Sequence, residues 1–151
     1  MTYKIYLSGE IHTDWREQIW QGIIANQLEI KLSGPVTNHE RSDNIGEKIL
    51  GAEQSPFWKD HKAAKINAIR GSVLIGRADI VIVRFGEQYK QWNAAFDAGL
   101  AIGLDKPLIV MHAPELTHPL KEIDAAALAV VETPGQVVEI LQYISDDSGN
   151  S

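Results

Sequence analysis

Short apolar runs rich in β-branched residues alternate along the chain with longer segments of helical periodicity. Five runs predict strands, namely Lys4–Ser8, Leu28–Leu32, Asp79–Phe85, Pro107–His112 and Leu128–Glu132. Within them, Ile80–Val83 and Leu108–Met111 contain no alternating polar positions, which indicates strands covered on both faces. Strands of this kind are typical of the parallel sheet of an α/β domain.

Four segments between or after the strands predict helices, at 14–26, 58–76, 92–103 and 134–144. Asp14 is predicted as the N-cap of the first helix, with Glu17 in the position that completes a capping box. Thr133 and Pro134 form a cap followed by a first-turn proline, so they predict the start of the last helix, which ends near Ile144.

The alternation of strands and helices predicts a doubly wound, flavodoxin-like domain. Right-handed crossovers between parallel neighbours favour a five-stranded sheet of order 2-1-3-4-5, with helices on both faces and Ile80–Val83 in a central strand. Such sheets bind ligands beyond the carboxyl ends of strands 1 and 3. Residues 1–144 are predicted to form one domain, and residues 145–151 a flexible tail.

Composition narrows the classes of partner. The 151 residues carry a net charge of −6 without a basic stripe, so a nucleic-acid polymer is not expected as a partner. The apolar runs are too short for a membrane span, and no signal peptide is apparent, so we expect a cytoplasmic protein. The absence of cysteine excludes disulfides and thiolate sites. The five histidines lack metal-ligand spacing, and we expect neither a metal nor a cofactor.

The segment after the first strand, Ser8 to Asp14 (SGEIHTD), is the first candidate for chemistry. Gly9 permits a tight exit from the strand and a close approach of the backbone to a ligand. Glu10 and His12 follow at the predicted binding edge, just before a helix N-terminus that favours an anion. The alternative is that Asp14 only caps the helix, and that Glu10 and His12 are solvated loop residues.

Asp97 is the second candidate, because it is the only ionisable residue between Gln91 and Leu104. Helical periodicity places Asn93 on the same face, one turn earlier. A lone carboxylate among alanines, glycines and large apolar residues is partly desolvated, which raises its pKa. An exposed helix carboxylate and a structural hydrogen bond are the alternatives. Gly99 and Gly103 on this helix indicate close packing between elements.

The remaining sequence features are either less specific or argue against particular classes of site. No glycine-rich phosphate loop and no G-x-S-x-G motif is present. Gly86 is interpreted as a strand exit. Trp15, Trp58 and Trp92 lie near predicted loop–helix junctions, where one of them can stack on a base, although packing is the commoner role of tryptophan.

Several segments together resemble a known family. They are Lys4–Gly9 (KIYLSG), Ala78–Val83 (ADIVIV), Asn93–Ala101 (NAAFDAGLA) and Gly103–Val110 (GLDKPLIV). Their order and spacing, over about residues 3–112, resemble the nucleoside 2-deoxyribosyltransferase family, and most closely its small YtoQ branch. In that family a helix glutamate attacks the anomeric carbon of deoxyribose, the base departs, and another base or water resolves the ester.

The resemblance implies a role for each candidate residue. Asp97 occupies the position of the nucleophilic glutamate with a side chain one methylene shorter, Tyr6 steadies its carboxylate, and Glu10 is the candidate general acid or base. The implied substrate-binding residues are Ser8, Gly9, His12, Asn93, Gln91, Trp92, Phe85 and Gly86. Trp92 and Asn93 stand where the family has Gly-Thr, and Gln91 or a neighbour stands where it has an acidic residue that engages the base.

The leading hypothesis is an enzyme that transfers or hydrolyses the N-glycosidic bond of a small-molecule nucleoside or nucleotide. The rival hypothesis is a non-catalytic nucleotide-binding or sensor domain of the same fold. A flavodoxin-like electron carrier is disfavoured, because no phosphate loop follows the first strand. The resemblance also implies a homo-oligomer, in which His118–Asp124 is the segment expected to reach a neighbouring subunit.

Overall fold

The computed structural model describes residues 2–37 and 39–146, and this part of the chain contains a five-stranded parallel sheet. The strands are β1 (Tyr3–Gly9), β2 (Ile30–Ser33), β3 (Ile80–Arg84), β4 (Leu108–Met111) and β5 (Ala129–Val131). Their order, β2-β1-β3-β4-β5, is the predicted one, with β3 at the centre. The predicted fold class is therefore confirmed.

Helices cover both faces of the sheet. They are α1 (Trp15–Ala25), α2 (His39–Leu50), α3 (Pro56–Arg77), α4 (Trp92–Gly103), α5 (Lys121–Ala126) and α6 (Pro134–Ser145). Helices α1 and α6 pack on one face, and α3, α4 and α5 on the other. Helix α6 ends at Ser145, and residues 147–151 lie outside the described part of the chain, so the predicted flexible tail stays a prediction.

The alternation of side chains along β1 determines which residues reach the site. Ile5 and Leu7 are buried in the core under α1 and α6. Because successive side chains of a strand point to opposite faces, Tyr6 and Ser8 face the other way. Tyr6 belongs to the core cluster that also contains Ala98 of α4. Strand β1 therefore places two polar side chains, those of Tyr6 and Ser8, on the face of the sheet covered by the helix that carries Asp97.

Helix α2 was not predicted from the sequence. It is rich in polar residues, and it packs on α3 rather than on the sheet, so it lacks the broad apolar stripe by which a core helix is recognised. Gly46 is the point of closest approach, since a Cβ there would lie 2.4 Å from the Lys62 Cβ and 2.8 Å from the Ala63 backbone nitrogen. Close packing on α3 therefore holds α2 in place.

The two predicted helix starts differ in outcome. At α6, the Thr133 hydroxyl accepts from the Gln136 backbone nitrogen at 3.2 Å and a reciprocal capping box forms, as the Thr-Pro pair indicates. Asp14 precedes α1 as predicted, but it makes no side-chain cap bond and instead accepts from Gln18 at 2.7 Å. The predicted capping box of Asp14 with Glu17 is wrong, because Glu17 accepts from Gln21 instead.

The expectation that Gly99 and Gly103 serve close packing between elements of this chain is wrong. Within the described chain, a Cβ at Gly99 or Gly103 would meet no heavy atom within 4 Å, so neither glycine serves close packing there. Asp124, in the segment expected to reach a neighbouring subunit, contacts the buried His112 ring, with 2.8 Å between a carboxylate oxygen and Nε2, and the contact with a neighbour stays a prediction. In the described part of the chain, no helix is long and apolar enough to cross a membrane.

Candidate functional site

A cleft with a volume of about 700 Å³ opens at the carboxyl ends of β1 and β3, on the side of the sheet covered by α3 and α4. The end of β1 and the turn after it form one part of its wall. Helices α2, α3 and α4, the loop before α4 and the segment after β2 form the rest. This is the point where the strand order reverses, as the doubly wound topology requires of a ligand site.

Asp97 lies in this cleft, half-buried, on the face of α4 that looks toward β1. Its carboxylate accepts a hydrogen bond of 2.5 Å from the hydroxyl of Ser8, which is almost fully buried. The resemblance implies Tyr6 as the residue that steadies this carboxylate, but the donor in the structure is Ser8. Both residues lie on the same face of β1, and Ser8 is the one opposite Asp97.

The environment of Asp97 shifts two pKa values upward. Burial raises the pKa of Asp97 above its usual range, and the hydrogen bond from Ser8 opposes this only in part. Burial, together with the nearby charge of Asp97, raises the pKa of Tyr6 to about 12. The cleft therefore holds a lightly solvated carboxylate beside a phenol that keeps its proton.

Asp97→Asn is expected to increase the free energy of unfolding at neutral pH. Because the folded state has a raised pKa for Asp97, stability falls as the pH rises from the ordinary aspartate pKa to the raised one, and the full cost remains at higher pH. The gain should therefore be smallest below the ordinary aspartate pKa of about 3.9 and grow as the pH rises through the raised value. Urea unfolding at a series of pH values measures it.

The matched control is Asp105→Asn, an exposed aspartate beyond α4 whose positive φ asparagine also tolerates. This variant should show no comparable gain with pH. An Asp97→Asn protein that is less stable than the wild type at neutral pH would contradict the expectation.

Glu10 is placed differently from the expectation of a general acid or base. Its side chain is only 4% exposed. The carboxylate accepts from the backbone nitrogens of His12 and Thr13, from the Thr13 hydroxyl at 2.5 Å and from Arg84 Nη1 at 2.8 Å. Burial raises its pKa, but these hydrogen bonds and the Arg84 charge outweigh burial, so the net shift is downward. A carboxylate held ionised by four donors is poorly suited to exchange protons with a substrate.

Arg16 supports the same turn from the other side of the sheet. Its guanidinium donates to the carbonyl of Glu10 at 2.6 Å, and to those of Leu7 and Gly9 at 3.2 and 3.3 Å. Burial lowers the pKa of Arg16 to about 10, and the charge of Glu10 opposes that shift. The cation therefore lies close enough to the Glu10 carboxylate for the two charges to interact.

The remaining predicted site residues divide into two groups. Those that line the cleft are Gly9, His12, Gln91, Trp92 and Asn93. Phe85 does not line it, because its side chain is buried in the core against α4. Gly86 does not line it either, and its backbone nitrogen donates to Gln91 Oε1 at 2.9 Å. Both residues instead support the loop before α4, and their contact with substrate stays a prediction.

Sequence reasoning missed the wall contributed by α2 and α3. Asn67 lines the cleft and donates to the carbonyl and the hydroxyl of Ser42 at 3.1 and 3.0 Å, which ties α3 to α2. Arg70 also lines it and donates to the Gly34 carbonyl. On a long amphipathic helix such residues resemble an ordinary solvated face. Only the position of α2 and the end of β2 reveals that they enclose a cleft.

Tyr89 and His12 contact each other across the mouth of the cleft, with their ring centroids 4.8 Å apart. One ring comes from the loop before α4 and the other from the turn after β1. Among the residues that the structure describes, no group of three or more histidine or acidic side chains is arranged to hold a metal ion.

Comparison with known proteins gives a family match over most of the sequence. Residues 6–145 match the family described as nucleoside 2-deoxyribosyltransferase YtoQ. A protein of Bacillus subtilis (strain 168), named uncharacterized protein YtoQ, is 48% identical over 144 residues, which cover 95% of this chain and 97% of that protein.

Two solved structures share the fold at low identity. A 2-deoxyribosyltransferase from Bacillus psychrosaccharolyticus is 19% identical with a TM-score of 0.55, covering 89% of this chain and 90% of its own. A conserved protein from Enterococcus faecalis V583 is 13% identical with a TM-score of 0.65, covering 95% and 99%. At these identities the structures support the fold alone, whereas the family match spans nearly the whole sequence. The chain therefore belongs to the nucleoside 2-deoxyribosyltransferase YtoQ family.

Proposed function

We propose that the protein breaks the N-glycosidic bond of a nucleoside through a covalent intermediate on Asp97. The observation that carries the proposal is the half-buried carboxylate of Asp97, held by Ser8 at the carboxyl edge of the sheet. A nucleophilic carboxylate must be ionised yet lightly solvated, and a hydrogen bond to its charged form offsets part of the cost of burial. The family to which the chain belongs supports the same chemistry.

In the first step, an oxygen of Asp97 forms a bond to the anomeric carbon of the sugar. The bond from that carbon to the base nitrogen breaks, its electron pair leaves with the base, and that nitrogen takes up a proton from water. In the second step, water or the nitrogen of another base attacks the anomeric carbon, loses its proton, and releases the carboxylate. Water gives hydrolysis and a second base gives transfer.

Other side chains of the cleft have supporting roles in this proposal. Ser8 orients the attacking carboxylate by its 2.5 Å hydrogen bond. Tyr6, with its raised pKa, keeps a donor proton close to the sugar and to the charge of Asp97. Asn93 lines the cleft one helical turn before Asp97, where its amide can bind a sugar hydroxyl. A volume of about 700 Å³ lies in the roughly 300–1,000 Å³ range of small-molecule pockets.

A panel of nucleosides and 5′-nucleotides, incubated with the protein and separated by chromatography, tests the proposal. Free base should appear with at least one nucleoside for the wild type and not for Asp97→Asn. Addition of a second base distinguishes transfer, which gives a new nucleoside, from hydrolysis, which gives free sugar. Saturable binding without release of base from any member would contradict the proposal and favour the non-catalytic binding domain.

We also propose that the chain self-associates near the mouth of the cleft. Trp92 and Phe96, both on α4, are 73% and 68% exposed. Large apolar side chains that face water in this way are typical of an interaction surface. Light scattering at micromolar concentration should give a mass above that of one chain, and a monomer would contradict this part of the proposal.

A further inference from the structure

The carboxylate of Glu10 fills a pocket of hydrogen-bond donors at one end of the cleft. Its Oε1 accepts from the backbone nitrogens of His12 and Thr13, the latter at 2.6 Å. Its Oε2 accepts from the Thr13 hydroxyl at 2.5 Å and from Arg84 Nη1 at 2.8 Å. Although its side chain is only 4% exposed, Glu10 lines the cleft together with His12, so its carboxylate lies where the turn after β1 meets the cleft wall.

The same set of donors would suit a phosphate group. In doubly wound folds, the turn after the first strand and the helix that follows it bind phosphate through backbone N–H groups. A guanidinium adds charge-assisted hydrogen bonds to such a site, and here Arg84 is in direct contact while Arg16 lies close behind the turn. The buried carboxylate therefore stands where a bound anion would stand.

The other charges of the cleft do not provide an obvious replacement for this pocket. Besides Glu10, the lining carboxylates are Asp43, Asp60 and Asp97, and the lining cations are Arg70 and Lys90. Arg70 donates to the Gly34 carbonyl, and Lys90 lies over the exposed ring of Trp92. A doubly charged phosphate entering this cleft would meet more negative than positive side chains.

We propose that Glu10 is a specificity-determining residue, whose carboxylate acts as a built-in anion that excludes phosphate from this end of the cleft. The ligand group that reaches this corner is then uncharged, such as the hydroxymethyl end of a sugar. The identity of that ligand rests on the proposed function, whereas the competition between Glu10 and an external anion does not.

Titration of the protein with inorganic phosphate, followed by the NMR resonances of the His12 and Thr13 amides, tests the inference. The wild type should show no shift of these amides. Glu10→Ala opens the pocket and frees its donors, so phosphate should bind there, at least about ten-fold more tightly than the upper limit set by the wild-type titration. The matched control is Glu17→Ala, which removes the same charge from the exposed side of α1, outside the donor pocket. It should leave phosphate affinity unchanged.

Glu10→Gln covers the case in which the alanine variant does not fold, because it keeps the size of the side chain. Without the negative charge, it should bind phosphate more tightly than the wild type but less tightly than Glu10→Ala. If phosphate shifts the NMR resonances of the His12 and Thr13 amides in the wild type, the inference is overturned. A folded variant, alanine or glutamine, with no gain in phosphate affinity also overturns it.

The titration requires no turnover, so its outcome is independent of the proposed reaction. A protein that releases no base would overturn the proposed function and leave the phosphate result intact. Conversely, phosphate binding at this turn of the wild type would overturn the role of Glu10 without affecting Asp97.

Discussion

Asp97→Asn is expected to lower the rate of base release from a nucleoside by about three orders of magnitude or more, which is the scale on which enzymes lose activity when a nucleophile is removed. The amide keeps the shape of the side chain and can still contact Ser8, but it cannot form the ester. Because the change also relieves a carboxylate with a raised pKa, the variant should fold at least as well as the wild type.

Asp97→Glu keeps a carboxylate at residue 97 but moves it, so it tests whether the position of the carboxylate matters as well as its presence. It introduces the glutamate that the family resemblance implies at this position, but the structure has Ser8 Oγ 2.5 Å from the Asp97 carboxylate. An extra methylene must displace that contact, so this variant should also release base more slowly than the wild type. Asp105→Asn, the matched change outside the cleft, should leave the rate unchanged. Wild-type rates in Asp97→Asn, measured on a substrate that the wild type cleaves, would exclude Asp97 as the nucleophile.

Gly9→Ala is expected to give the largest loss of stability among single changes around the cleft. Gly9 has φ +112°, and a Cβ at this position would lie 2.0 Å from the Arg84 carbonyl oxygen of the neighbouring strand. Strained backbone and overpacking together should lower the free energy of unfolding by about 2–5 kcal/mol. The change would also separate β1 from β3 at the point where Ser8 and Glu10 are positioned.

Urea unfolding, monitored by circular dichroism, measures this loss. Gly99→Ala is the matched control, because Gly99 lies inside α4 with open space around its Cβ position. Alanine there should stabilise the protein by about 0.5–1 kcal/mol. Equal stability of Gly9→Ala and the wild type would mean that the turn after β1 does not require this glycine.

The sheet could be predicted because each strand is recognisable from a short, continuous stretch of sequence. The uninterrupted apolar segments in β3 and β4 exclude a half-exposed sheet, and the handedness of crossovers then leaves few strand orders. Asp97 was recognisable for a similar reason, since a single charge in an apolar helix is visible without any tertiary information. The lone carboxylate indeed lies in the cleft at the switch point.

The features that the sequence did not reveal depend on contacts between distant segments. Helix α2 is held by α3 rather than by an apolar stripe of its own, so the wall that it contributes could not be predicted. The environment of Glu10 depends on Arg84, which is far away in the chain and arrives through the pairing of β1 with β3. The partner of Asp97 depended on which of two same-face residues, Tyr6 or Ser8, lies opposite α4.

The central claim is that Asp97 forms a covalent bond to the sugar, and trapping that intermediate tests it most directly. A nucleoside with fluorine at the 2′ position of its sugar should slow the second step more than the first, so that the glycosyl ester accumulates. Mass spectrometry of the intact protein and its peptides should then show one added fluorosugar on Asp97, and none on Asp97→Asn. Release of base with no adduct, or an adduct on another residue, would contradict the account.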